Sequence, residues 1–202
     1  GVYMGMKAAA KQAYGNDNLK GKKIIVQGIG HVGENLVKHL VKEGAVVSII
    51  DLNQDTLKRV ASENGVTVLT DLDFYGNDMD IYAPCALGAT LNTENISRLK
   101  CQVIAGAANN QLADETVHGK MITDKGIVYA PDFLINAGGL INVYSELTGY
   151  NRERALQHTE KIYDYTLGIF KKAADESIPT YLAANRMAEK RISDIGKVKL
   201  GF

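Results

Sequence analysis

The residues that most restrict the fold run from Lys22 to Gly44. Ile24-Ile25-Val26 is a short β-branched run bounded by Gly21 and Gly28, the pattern of a strand buried in a parallel sheet. Gly28-Ile29-Gly30-His31-Val32-Gly33 follows at once, and Val32, Leu36, Val37, Leu40 and Val41 then recur at helical spacing up to Gly44. Strand, glycine turn and helix in that order form a cradle for phosphate. Gly28 permits the tight turn, Gly30 lets a pyrophosphate approach the backbone, and Gly33 lets helix and strand pack without a Cβ between them. The free N–H groups at the helix start, with the helix dipole behind them, do the work of a basic side chain.

The next predicted strand, Ala45–Ile50, leads into Asp51, 51 − 28 = 23 residues beyond the first glycine. An acid at that point can accept both hydroxyls of an adenosine ribose. It also repels a 2′-phosphate, and neither Leu52 nor Asn53 is a compensating cation, so NAD is favoured over NADP. The alternative is that Asp51 merely caps a turn. With the two signals in register the chain reads as α/β: a Rossmann-type doubly wound, mostly parallel sheet with helices on both faces and a helical C-terminal segment.

The remaining sequence extends this alternation. Val2, Met6, Ala9, Ala10 and Ala13 predict a lead-in helix stopped by Gly15-Asn16-Asp17. Gln54–Asn64 reads as helix, and Val66–Leu69, Asp80–Ala83, Gln102–Ala105 and Ile127–Tyr129 read as extended. Ala137–Leu147, Arg152–Asp175 and Thr180–Asp194 read as helices, with Ala155, Thr159, Ile162, Thr166, Ile169 and Ala173 near heptad spacing.

Composition excludes several function classes. The 23 Lys and Arg balance 23 Asp and Glu, leaving no surplus to neutralise a nucleic acid. Cys85 and Cys101 cannot build a disulfide framework, and no Cys/His cluster has metal-ligand spacing, so a reducing cytoplasm and no metal are expected. The longest apolar runs, such as Ala45–Ile50, are too short to cross a bilayer. No membrane partner is expected.

Three further segments fall at predicted strand ends, where an open parallel sheet forms its ligand crevice. They are Ala83-Pro84-Cys85-Ala86, Ala105-Gly106-Ala107-Ala108-Asn109-Asn110 and Ile135-Asn136-Ala137-Gly138-Gly139. Small residues there admit a flat ring, and Asn amides can pair with a carboxamide or a ribose. Asn and Gly are also ordinary turn residues, and chemistry alone does not separate the two readings.

In these segments the chain resembles the cofactor-binding domain of the glutamate, leucine, phenylalanine and valine dehydrogenase family, and looks closest to the leucine dehydrogenases. The similarity runs from Gly1-Val2-Tyr3-Met4-Gly5-Met6-Lys7-Ala8 through Ala105–Leu112 and Tyr129-Ala130-Pro131-Asp132 to Gly149-Tyr150-Asn151-Arg152-Glu153-Arg154. The resemblance implies that Gly28, Ile29, Gly30, His31, Val32 and Gly33 hold the pyrophosphate of NAD and that Asp51 binds the adenosine ribose. It implies that Ala83, Cys85 and Asn109 lie beside the nicotinamide ribose, and Asn136 near the nicotinamide and the substrate. Leu140 and Val143 match positions lining the amino-acid side-chain pocket. Two apolar linings suit a branched aliphatic side chain rather than a second carboxylate. Leucine dehydrogenases usually carry Val at the position of Leu140, which leaves the preference among Leu, Ile and Val open.

The family's reaction is reversible oxidative deamination of an L-amino acid to the 2-oxo acid and ammonia. By this resemblance residues 1–202 form one NAD-binding domain, with a lead-in helix over 1–15 and C-terminal helices from about 151. The catalytic Lys and Asp would belong to an N-terminal domain preceding Gly1, so this chain is expected to be inactive alone and the full-length enzyme to be a homo-oligomer. Lys7, Lys11, Lys100 and Lys120 read as solvated charges; His31 should face the pyrophosphate; His39, His118 and His158 lack an acid partner; Cys85 reads as a packed thiol. Two other readings stay open: a stand-alone NAD-binding or sensing module, and a different NAD-dependent dehydrogenase, such as one acting on 2-hydroxy acids.

Overall fold

The computed structural model describes residues 1–147, 149 and 151–198, the last two by backbone alone. Tyr150 of the Gly149–Arg154 motif lies outside them. Six strands, β1 (Lys23–Gln27), β2 (Val46–Ile50), β3 (Thr67–Val68), β4 (Ile81–Pro84), β5 (Val103–Ile104) and β6 (Val128–Tyr129), form one sheet in the order β3-β2-β1-β4-β5-β6. Every pairing is parallel, which sharpens the expectation of a mostly parallel sheet. The strand order reverses direction between β1 and β4. That switch point opens a crevice beyond the carboxyl ends of the strands.

Alternation along each strand sorts side chains into two cores. Ile24, Val26, Val47, Ile49, Ile81, Ala83 and Val103 face one side, where they meet α1 (Val2–Tyr14), α2 (His31–Glu43) and α3 (Gln54–Asn64). Ile25, Ile50, Tyr82 and Ile104 face the other, packing with Phe74, Tyr75, Ile96 of α4 (Thr93–Arg98) and Ile122 of α5 (Glu115–Asp124). Neither α4 nor α5 was legible as helix: their apolar positions are few, and each is set by an Asx cap, Asn92 accepting from Asn95 N and Asp114 from Val117 N. Lys125 then clamps the end of α4, its Nζ donating to the carbonyls of Ile96, Ser97 and Leu99 at 2.8, 2.8 and 3.1 Å.

After β6 come α6 (Asp132–Ile135), α7 (Gly138–Leu147), α8 (Arg152–Glu160), α9 (Ile162–Glu176) and α10 (Thr180–Val198). The short α6 was not predicted, and the helix expected over Arg152–Asp175 is two helices meeting at Lys161. Its stripe still works as one: Ala155, Ile162, Thr166, Ile169 and Ala173 are buried and Thr159 half-buried. The lead-in helix α1 packs on α9, β5, β6 and α6, with Gly5 against the Ile135 side chain. Val32, expected on the core face of α2, is instead 49% exposed, because the first turn of that helix stands beyond the sheet at the crevice. Lys7 is not a solvated charge: its Nζ donates to Glu43 Oε1 at 2.8 Å, and Glu43 also accepts from the Tyr3 hydroxyl and from Leu19 N. Lys120, expected in a loop, lies on α5 and pairs with Asp124 one turn on.

Candidate functional site

The glycine turn is shaped as its spacing requires. Gly28 has φ 96°, and a Cβ there would stand 2.5 Å from Ala86 N in the loop after β4. A Cβ on Gly33 would stand 2.0 Å from the Gly28 carbonyl oxygen, so helix and strand touch through bare backbone. At Gly30 the same construction meets nothing within 4 Å, which leaves that stretch of backbone open to the crevice. Among the described residues, no protein acceptor meets the backbone N–H of Gly30, His31, Val32 or Gly33. Four donors at a helix start make a seat for an anion.

Asp51 closes the turn from the neighbouring strand. Its Oδ2 accepts from Ile29 N at 2.6 Å and its Oδ1 from Asn53 N at 2.9 Å. It therefore caps its own turn and also clasps the glycine loop, a role that spacing alone did not suggest. A carboxylate has lone pairs beyond these two, so its orientation is fixed while acceptor capacity remains.

Beside it opens a cleft of about 510 Å³ lined by Gln27, Gly28, Ile50, Asp51, Leu52, Leu72, Ala86, Leu87 and Thr90. Leu52, Leu72 and Leu87 are 78%, 62% and 75% exposed, three apolar jaws around one opening. Sequence reasoning missed Leu72 and Leu87, although each is an isolated Leu in an otherwise polar or small loop, a signal available in Asp71-Leu72-Asp73 and Ala86-Leu87-Gly88. The floor is polar but satisfied: the buried Tyr82 hydroxyl donates to Gln27 Oε1, and Gln27 Nε2 donates to Tyr75 at 3.4 Å. Desolvation holds the Tyr82 phenol well above its ordinary pKa, so it stays a donor.

On the other side of the switch point the loops after β4, β5 and β6 are tied together. Ala89 N donates to Asn110 O at 2.7 Å with both residues at positive φ (57° and 51°), and Leu91 N donates to Gln111 O at 3.0 Å. Gln111 is fully buried, its Nε2 donating to the carbonyls of Gly106 and Ala108, while its N–H donates to Asp132 Oδ2 at 3.1 Å. Asn136 Nδ2 donates to Asn109 Oδ1, joining the loop after β5 to the turn before α7. Ala83 is fully buried in β4, so it can meet a ligand only through its main chain. Cys85 keeps some exposed surface, yet its surroundings desolvate the thiol and push its pKa up to about 12, with Ala107 N donating to Sγ at 3.4 Å. It is a packed thiol and no nucleophile.

Leu140 and Val143, one and two turns beyond Asn136, stand 73% and 53% exposed on α7, with Leu147 at 82% on the same face. His31 is exposed at the first residue of α2. His118 is buried, its Nδ1 accepting from Asp114 N at 2.8 Å and its Nε2 facing Thr93 Oγ1 at 3.2 Å, which makes it a satisfied core histidine. No group of three or more His, Cys, Asp or Glu suited to a metal occurs among the described residues, and no described helix is long and apolar enough to cross a membrane.

A doubly wound parallel sheet, a glycine turn opening a helix and an acid just after the next strand together define a Rossmann-type domain. More specifically, residues 52–199 match the family model for Glutamate/Leucine/Phenylalanine/Valine dehydrogenase, and the chain belongs to that family. It is 54% identical over its whole length to a leucine dehydrogenase of Thermoactinomyces intermedius, and 52% identical to that of Bacillus subtilis. In both cases it spans 55% of the relative's length, so it corresponds to about half of such a protein. Among solved structures, L-tryptophan dehydrogenase from Nostoc punctiforme superposes with a TM-score of 0.92 at 44% identity, over 96% of this chain and 58% of that one.

Proposed function

We propose that this chain is the NAD-binding half of an amino-acid dehydrogenase acting on leucine or another branched-chain L-amino acid. The observation that carries the reading is the open N–H array of Gly30 to Gly33 beside an Asp51 carboxylate already oriented by Ile29 N. The pyrophosphate would rest on that array, and the adenosine ribose hydroxyls would donate to Asp51. Leu52, Leu72 and Leu87 would enclose the adenine, whose faces are apolar. Asp51 and the absence of a cation at Leu52 and Asn53 favour NAD over its 2′-phosphorylated form.

Ala83, Cys85, Asn109 and Asn136 would flank the nicotinamide half, where hydrogen bonds tie the loops after β4, β5 and β6 into a firm wall. The bound cofactor would accept a hydride from the amino-acid Cα. Leu140 and Val143 would contact the substrate side chain, and their apolar surface fits an aliphatic group. By the resemblance the proton chemistry would belong to residues outside this chain, and among the described residues no ion pair of a lysine with a carboxylate lies in the crevice. The exposed apolar face of α7 favours a companion half over a stand-alone module, because Leu140, Val143 and Leu147 are otherwise left in water.

Calorimetric titration tests the reading directly. NADH is expected to bind the 202-residue chain, NADPH to bind more weakly, and leucine with NAD to give no absorbance at 340 nm. Absence of NADH binding, or leucine oxidation by this chain alone, would overturn it.

A further inference from the structure

We propose that Arg59 controls diphosphate affinity from outside the anion seat of α2, by neutralising the Glu34 carboxylate that lies one turn below that seat. This rests on the NAD reading above, since the diphosphate is the cofactor's. An acid stands here where the fold invites an anion. Glu34 is in the first turn of α2, its N–H donating to Gly30 O at 2.9 Å, next after the open N–H groups of Gly30 to Gly33. Four residues of helix rise put its backbone about 6 Å below Gly30, and helical side chains lean toward the amino terminus. A diphosphate on the seat is therefore about 10 Å or less from the Glu34 carboxylate, within the reach of its field at low salt.

Cations from two helices cancel that field. Arg59 of α3 takes the carboxylate with both prongs, Nη2 donating to Oε2 at 2.6 Å and Nη1 to Oε1 at 3.2 Å, and Lys38 Nζ donates to Oε1 at 2.8 Å from the next turn of α2. Arg59 also reaches Glu63 at 3.0 Å, so two cations balance two carboxylates. The Glu34 side chain is 19% exposed against 47% for Arg59 and 49% for Lys38, which makes the acid the inner member and the cations its outer screen. Hydrogen bonds from Arg59 and then Lys38 hold the Glu34 carboxyl down at about 2, so protonation does not remove its charge near neutral pH. Asp51 needs no such screen: among the described residues its hydrogen bonds come from Ile29 N and Asn53 N, whereas those of the Glu34 carboxylate all come from cations. Without Arg59 the cluster gains one net negative charge. Against a doubly charged diphosphate about 9 Å away in water, Coulomb's law makes that about a three- to tenfold loss of affinity. For an uncharged ligand it gives no loss.

The test uses the intact chain and three ligands: NADH and ADP, which carry the diphosphate, and adenosine, which does not. Calorimetry reads the first two and ligand-detected NMR the third. In about 20 mM NaCl, Arg59→Met is expected to weaken NADH and ADP by about three- to tenfold and to leave adenosine within about twofold of native. In about 500 mM NaCl that loss should nearly vanish. Lys38→Met should show the same pattern at smaller amplitude, and it carries the test if Arg59→Met fails to fold. Adding Glu34→Gln to Arg59→Met should bring ADP back to within about twofold of native, because the cluster is again neutral. Three results would overturn the assignment: ADP unchanged by Arg59→Met at low salt, adenosine weakened in step with ADP, which makes the bridge between α2 and α3 a brace only, or a double variant that stays weak, which means that Arg59 meets the diphosphate itself. NADH and ADP binding that ignores Arg59 spares the NAD reading; a native chain that binds neither removes that reading and this one together.

Discussion

Replacing Asp51 by Ala separates two roles that one carboxylate combines. The substitution removes the hydrogen bonds to Ile29 N and Asn53 N. Bonds to a charged acceptor contribute about 1.5–3 kcal/mol each when buried, and this half-exposed carboxylate is screened, so about 1–2 kcal/mol for the pair is expected. For a chain of this size that corresponds to a fall of about 2–8 °C in Tm. Binding distinguishes the roles further. If Asp51 only clasps the loop, NADH and NADPH lose affinity by the same factor. If it also accepts the ribose hydroxyls, NADH loses two more hydrogen bonds, about 10- to 100-fold in Kd, while NADPH is spared a carboxylate facing its phosphate. The NADH-to-NADPH preference should then fall by about tenfold or more. Parallel titrations of the two cofactors, with thermal unfolding of the same samples, read both effects. An unchanged preference, alongside the expected loss of Tm, would refute the ribose assignment and leave Asp51 a loop clasp.

Three other expectations concern stability and reactivity. Lys125→Met should lower stability by about 1–2 kcal/mol in urea unfolding, because three carbonyls at the end of α4 lose a charged donor. Glu34, hydrogen-bonded by Arg59 and Lys38, has its carboxyl lowered to about 2, so its stabilising contribution is present above its unfolded value near 4.5 and is lost as pH falls toward 2. Urea midpoints of the native chain and Glu34→Gln should accordingly differ at pH 6 and converge near pH 2. Burial pushes both thiols up to about 12, so Cys85 and Cys101 should react with a disulfide reagent at pH 8 far more slowly in the native chain than in urea.

The legible part of this molecule was the part governed by local pattern. Ile24-Ile25-Val26, the three glycines and the apolar period of α2 each state their conformation within a few residues, and β2 ends at Ile50, directly before Asp51, where the motif requires an acid. The helices α4, α5 and α6 are short and capped by Asn92, Asp114 and Pro131, and too few turns fall between caps for a period to show. The candidate site divides in the same way. Phosphate and ribose groups follow from backbone geometry at a fixed spacing, whereas Leu72 and Leu87 reach the cleft only because loops after β3 and β4 converge on it. The bond between Asn109 and Asn136 spans 27 residues and exists only once β5 and β6 are paired. The contact of Lys7 with Glu43 likewise joins residues 36 apart, so no window of sequence could reveal it.

The packing of α1 has a consequence for how the chain is assembled. This helix comes first in the sequence and touches α2, yet its other partners are β5, β6, α6 and, most extensively, α9, which ends at Glu176. On a ribosome the apolar face of α1, with Val2, Met6 and Ala9, therefore emerges long before its cover is complete, and a chain that pauses before α9 leaves part of that face exposed to holdase chaperones. Closure of so long a loop is a late, slow event, and truncation within α9 should release the amino-terminal helix rather than merely shorten the carboxyl-terminal one.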